Sequence, residues 1–221
     1  TDTTSQNANS LPDGVTMEDP SLTPPNVQYA QSALLMDMAS GRVLYSKNLD
    51  ERVYPASTTK IMTALLTLEN LNLSQVVTIK HDITFPDGAA VAIHLKKGDK
   101  ITVEALLNAL IIMSANDAAV ALGEAVAGSE ATFVKMMNKR AKELGATNTH
   151  FANSSGLPDD NHYSSARDMA LIFREGLKNE TFSDFEDCLQ MECAESFCAQ
   201  YIVTRNTAAV SYTHLRAHET P

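Results

Sequence analysis

Tyr54-Pro-Ala-Ser-Thr-Thr-Lys-Ile-Met-Thr-Ala64 is the stretch on which the reading of this chain turns. Ser57 and Lys60 stand three residues apart where an apolar helical pattern begins, carried on by Ile61, Met62, Leu65, Leu66 and Leu68. Positions i and i+3 share a helix face, so hydroxyl and amine project together. A serine is a weak nucleophile until a base takes its proton. A lysine is that base when burial or cationic neighbours lower its pKa. A helix start adds unpaired backbone N–H groups and partial positive charge beside the reacting oxygen. The pair reads as acyl-enzyme chemistry of the Ser–Lys type. A structural reading competes with it. Ser-x-x-Lys is short enough to recur by chance, serine is a common N-cap, and lysine is a common exposed helical residue.

Ser114-Ala-Asn116 follows an apolar helical run at 103–113 and precedes another at 118–127. Ser-x-Asn alone is weak, since Ser5-Gln-Asn7 and Ser46-Lys-Asn48 match it too. Only Ser114 falls at a helix–helix junction, where burial is expected. A buried hydroxyl and amide need partners, and a ligand is one source of them. The alternative is that Asn116 or Asp117 caps the second helix. In the stretch beginning His150-Phe-Ala-Asn-Ser-Ser-Gly-Leu-Pro158, glycine, proline and the following Asp/Asn cluster mark a loop. Ser165 and Asp168 approximate a capping box for the helix that follows.

In this order the three stretches, with Leu34-Leu-Met-Asp-Met-Ala-Ser-Gly-Arg-Val-Leu-Tyr45, resemble the serine-type D-alanyl-D-alanine carboxypeptidases, the low-molecular-mass penicillin-binding proteins. The resemblance runs over residues 28–178. It implies an α+β chain of the β-lactamase/DD-peptidase-like fold, a helical subdomain with an antiparallel sheet. It implies removal of the terminal D-alanine from the pentapeptide stem of peptidoglycan through an acyl-enzyme. In that scheme Ser57 is the nucleophile, Lys60 accepts its proton, Ser114 relays a proton to the leaving amine, and Asn116 holds the substrate amide. β-Lactams are the expected covalent inhibitors, on the extracytoplasmic side of the bacterial membrane after signal cleavage. No metal or other cofactor is expected, and His-Glu-x-x-His does not occur.

The family's Lys-Thr/Ser-Gly strand has no counterpart here, and Lys97-Gly98 precedes Ser114 rather than following it. The resemblance fades near residue 179. The expected organisation is therefore a disordered leader at 1–26, a partial catalytic domain at 27–179, and an unmatched tail at 180–221. That tail reads as frame-changed or adapter-derived, and its end, Val210-Ser-Tyr-Thr-His-Leu-Arg-Ala-His-Glu-Thr-Pro221, resembles adapter read-through. Cys188, Cys193 and Cys198 all fall in it, with a five-residue spacing that fits neither zinc sites nor a Cys-x-x-Cys redox pair. On this reading the sheet lacks its last strands, a peripheral membrane anchor lies in the missing part, and the 221-residue chain is inactive and prone to aggregate.

Composition bounds the rest. An apolar content of 44% supports a real core. The net charge of −10, without a basic stripe, argues against nucleic acid as a partner. A class A β-lactamase shares Ser-x-x-Lys but deacylates with an added glutamate, and the loop at 153–165 holds none. A catalytically dead penicillin-binding module is the other alternative. A Ser–His–Asp hydrolase would carry a Gly-x-Ser-x-Gly elbow, which is absent. Strands are expected at 33–38 and 42–47 around an Ala39-Ser-Gly41 turn, and at 76–79 and 91–95. Helices are expected after Ser57, at 103–113, 118–127, 129–144 and 167–178.

Overall fold

The computed structural model of the chain describes residues 14–19, 24, 27, 29–85 and 90–178. The three cysteines and the tail at 180–221 lie outside the described residues.

β1 (Val15–Met17), β2 (Ala33–Met36) and β3 (Val43–Lys47) form an antiparallel sheet in the order β1-β3-β2. The β2–β3 hairpin closes with Asp37 N–H donating to the Arg42 carbonyl at 2.8 Å and Gly41 N–H to the Asp37 carbonyl at 2.8 Å. Gly41 sits at φ 75°, a left-handed turn conformation that glycine adopts without steric cost. β2 ends at Met36 rather than running on to residue 38. β1 lies inside the segment expected to be a disordered leader, and pairs Val15 with Lys47 and Met17 with Tyr45. Three residues are too few to show a strand period in sequence, and this strand exists through its backbone bonds to β3.

A 3-10 turn at Ala56–Thr59 leads into α1 (Lys60–Asn70). α1 is buried without interruption from Lys60 to Thr67, so it is the central helix. Its two buried threonines satisfy their hydroxyls on carbonyls, Thr63 Oγ1 on Ser154 at 2.6 Å and Thr67 Oγ1 on Thr63 at 2.8 Å. Around it pack α2 (Val103–Ile112), α3 (Asn116–Ala127), α4 (Glu130–Glu143) and α5 (Ala166–Gly176). Met62, Leu106, Leu107, Leu122, Phe133, Phe151 and Ile172 are at most 0% exposed in the core between them. Thr102, Ser129 and Ser165 cap α2, α4 and α5, each accepting an N–H three residues on at 3.2 Å. The capping box expected at Ser165 is only half made. The Asp168 carboxylate turns away and accepts from Asn148 N–H and Thr149 Oγ1, both at 2.7 Å.

β4 (Val76–Thr78) pairs antiparallel with β5 (Lys100–Thr102), not with the strand expected at 91–95. Segment 91–95 joins no ladder, and His94 within it turns to φ 61°, a left-handed conformation no strand carries. Asp117, fully buried in the first turn of α3, takes over that role. Its carboxylate accepts from Ile93 N–H and Leu95 N–H, each at 3.0 Å, and from Ala118 N–H at 3.0 Å. Removing it orphans buried N–H groups, each costing about 1–3 kcal/mol. Asp117→Ala is expected to lower the unfolding free energy by about 3 kcal/mol or more in urea titration. A loss under about 1 kcal/mol would mean that other acceptors serve those groups equally well.

Among the described residues no helix is long and apolar enough to cross a membrane.

Candidate active site

Ser57 lies second in the Ala56–Thr59 turn, and its side chain is exposed. Lys60 opens α1 and is 3% exposed. Its Nζ reaches Ser57 Oγ at 3.2 Å, the i, i+3 contact that the spacing predicts. Two further acceptors hold the amine, Asn116 Oδ1 at 2.9 Å and the Ser155 carbonyl at 2.7 Å. Burial lowers the Lys60 pKa from 10.5 to about 8. Loss of solvation is the cause, since it disfavours the charged form of a base.

Ser114 stands between α2 and α3, half-buried rather than buried, and its hydroxyl donates to Ser57 Oγ at 3.1 Å. Its backbone takes φ 54° and that of Ala56 takes φ 46°. Both are left-handed conformations that side chains other than glycine adopt at a cost of about 1–2 kcal/mol. They flank the Ser57 hydroxyl, one before it in the chain and one across from it. Asn116 does not cap α3. Ala115 occupies the N-cap position with no side-chain bond, while Asn116 is 7% exposed and turned to Lys60. Ser57, Lys60, Ser114 and Asn116 thus meet in one cluster.

The third wall is the 152–157 loop, whose contribution the sequence reading left undefined. Asn153 Oδ1 accepts from Ser155, Gly156 and Leu157 N–H at 3.2, 2.7 and 3.2 Å. Glu130 Oε1, from the first turn of α4, accepts from Ser154 N–H at 3.1 Å and Ser154 Oγ at 2.6 Å. This holds the Ser155 carbonyl on Lys60. An asparagine followed three residues later by glycine was the available turn signal, but a backbone carbonyl as a lysine acceptor has no sequence signature. A cavity of about 490 Å³ lies beyond this loop, between Asn153, Ser155 and Leu157 on one side and segment 81–85 on the other. The described residues lining it do not include Ser57 or Lys60.

A hydroxyl touching a buried amine and a second hydroxyl, with an amide alongside, is equipped for acyl transfer. The family model described as D-alanyl-D-alanine carboxypeptidase, Peptidase S11, matches residues 19–215. The chain belongs to this family. That match continues past residue 179, into the segment that the sequence reading set apart. DacF of Bacillus subtilis, a D-alanyl-D-alanine carboxypeptidase, is 44% identical over 175 residues, 76% of this chain and 45% of that one. DacC of Escherichia coli, of the same name, is 42% identical over 152 residues, 65% of this chain and 38% of its own length. The chain therefore spans less than half the length of these relatives. The crystal structure of a D-alanyl-D-alanine carboxypeptidase from Mycobacterium tuberculosis covers 71% of this chain and 59% of its own, with a TM-score of 0.65 at 34% identity. A mutant of the Streptomyces K15 DD-transpeptidase covers 74% of this chain and 66% of its own, with a TM-score of 0.66 at 35% identity. The fold is thus the α+β, DD-peptidase-like one that the motifs implied.

Proposed function

We propose that this chain carries the Ser–Lys centre of a serine D-Ala-D-Ala carboxypeptidase that trims peptidoglycan stem peptides outside the cytoplasm, with β-lactams as covalent inhibitors. The observation that carries the reading is the hydrogen bonding of Lys60. A neutral amine has two N–H bonds and one lone pair. Asn116 Oδ1 and the Ser155 carbonyl can only accept, so they take the two N–H bonds. The lone pair is left for the Ser57 hydroxyl, the one neighbour with a proton to give.

The steps follow from that assignment. Lys60 Nζ takes the Ser57 proton as Oγ attacks the carbonyl carbon of the penultimate D-alanine. The Ser57 backbone N–H donates to the oxyanion. Collapse breaks the C–N bond, and the leaving amine receives the proton from Lys60 through the Ser114 hydroxyl. D-Alanine departs, leaving an ester on Ser57 that water hydrolyses with Lys60 again as base. Asn116 Nδ2 is free to donate to the substrate while its Oδ1 holds Lys60.

The test is penicillin labelling, on this chain and on a hybrid in which a relative's C-terminal part follows residue 178. Mass spectrometry should place the penicilloyl mass on the peptide ending at Lys60. Mass on another serine in both proteins would end the assignment. The hybrid carries a relative's own C-terminal part and leaves Ser57 in place, so its labelling tests the nucleophile independently of residues 179–221.

A further inference from the structure

His162 is 2% exposed and sits on neither side of the chemistry just described. Its ring bridges two parts of the site. Nε2 lies 2.7 Å from Oγ1 of Thr59, itself fully buried between Ser57 and Lys60. On the other side Ala152 N–H donates to Nδ1 at 3.1 Å, at the entry to the loop that presents the Ser155 carbonyl. The Phe151 ring meets the imidazole edge-on at 5.7 Å between centroids. A backbone N–H can only donate, so Nδ1 must hold a lone pair. The proton of the neutral ring is therefore on Nε2 and is donated to Thr59. An imidazolium would set Nδ1–H against Ala152 N–H, donor against donor.

We propose that His162 is a positioning residue for acylation: as a neutral, Nε2-protonated ring it ties the 152–157 loop to the turn bearing Ser57 and Lys60, and protonation undoes the tie. This rests on the Ser57–Lys60 reading above. When the Ala152 bond is lost the loop loosens, and with it the Ser155 carbonyl that orients Lys60.

The surroundings set the direction of the pH dependence. Burial is the largest influence and lowers the His162 pKa from 6.5; Asp159 opposes this through space and His150 adds to it. On the turn packed against the ring, the charged neighbour in sequence is Lys60, next after Thr59. Since the folded state favours the neutral ring, the stability from this group is complete above 6.5 and is lost as pH falls through the lower folded value.

Two measurements test the proposal. Nitrogen-15 spectra of the full chain should show His162 protonated on Nε2 and bare on Nδ1 at about pH 7.5. In whichever form acylates, the rate should fall about tenfold per pH unit as Lys60 is protonated, then about a hundredfold per unit once His162 is protonated too. His162→Gln offers Thr59 an amide N–H that does not titrate, and should keep the tenfold slope throughout. His162→Phe should acylate more slowly at every pH. A residue with only a structural role would change the melting temperature and the rate by a constant factor and leave the slopes alone. An Nδ1-protonated ring, or the same steepening in His162→Gln as in wild type, overturns the proposal. If wild type itself takes no penicillin at Ser57 even in the hybrid, the Ser57–Lys60 reading has failed, and the unlabelled wild type identifies that failure.

Discussion

Lys60→Arg is expected to reduce penicillin acylation at Ser57 by at least about a thousandfold, although the charge is kept. The base works only when it has a free lone pair. At pH 7 an ordinary lysine is neutral in about one molecule in three thousand; at a pKa of about 8 the fraction is about one in eleven. Burial of Lys60 thus raises the competent fraction by roughly three hundredfold. Guanidinium stays protonated throughout this range, so arginine forfeits all of it. Wild-type acylation should rise with pH and level off above about 8, as the amine loses its proton. Stability moves in the same direction. The unfolded chain holds the Lys60 proton more tightly, so stability rises with pH between the folded value of about 8 and the unfolded 10.5. Stopped-flow labelling with a fluorescent penicillin measures the rate, and thermal melting checks that the variant folds. A folded Lys60→Arg protein that acylates within about tenfold of wild type would show that another group takes the proton.

The site was legible in sequence where local spacing carries it. Ser57 and Lys60 are three residues apart across the Ala56–Thr59 turn and the first residue of α1, so local winding alone brings them together, and their meeting at 3.2 Å needs no tertiary information. Ser114 and Asn116 were legible only by order and context. Nothing in the spacing from residue 60 to residue 116 says that Asn116 Oδ1 ends 2.9 Å from Lys60 Nζ. The helices were legible because their caps and apolar spacing are local, and Thr102, Ser129 and Ser165 cap where such residues should. Segment 91–95 was misread as a strand because alternation cannot distinguish a ladder from a chain whose N–H groups end on a buried carboxylate. Asp117 is that carboxylate, and it lies 22 residues beyond Leu95. β5 was missed because Lys100–Thr102 merges directly into α2. His162 looked like part of a polar loop, and only its burial against Thr59 gives it a role.

Gly156→Ala should be as damaging as the loss of a catalytic group, with no chemistry removed. A Cβ built there would stand 1.8 Å from the Ala56 carbonyl oxygen and 2.4 Å from its carbon, contacts that no atom can tolerate. Ala56 is backbone, already at φ 46°, and is followed directly by Ser57, so it has little freedom to retreat. The loop must move instead, and it carries the Ser155 carbonyl away from Lys60 Nζ. Gly156 is also at φ 85°, which adds about 1–2 kcal/mol for any side chain. Gly145 provides the control. It has φ 82°, and nothing lies within 4 Å of the Cβ that alanine would place there. Gly145→Ala should therefore cost only the conformational strain, about 1–2 kcal/mol, and leave acylation unchanged. Gly156→Ala should cost more than about 4 kcal/mol, or fold with acylation reduced by at least about a hundredfold. Urea unfolding and penicillin labelling of the two variants side by side give the comparison. Equal losses in both would mean that the 152–157 loop does not press on the Ser57 turn, and that the Ser155 carbonyl is not what holds Lys60 in place.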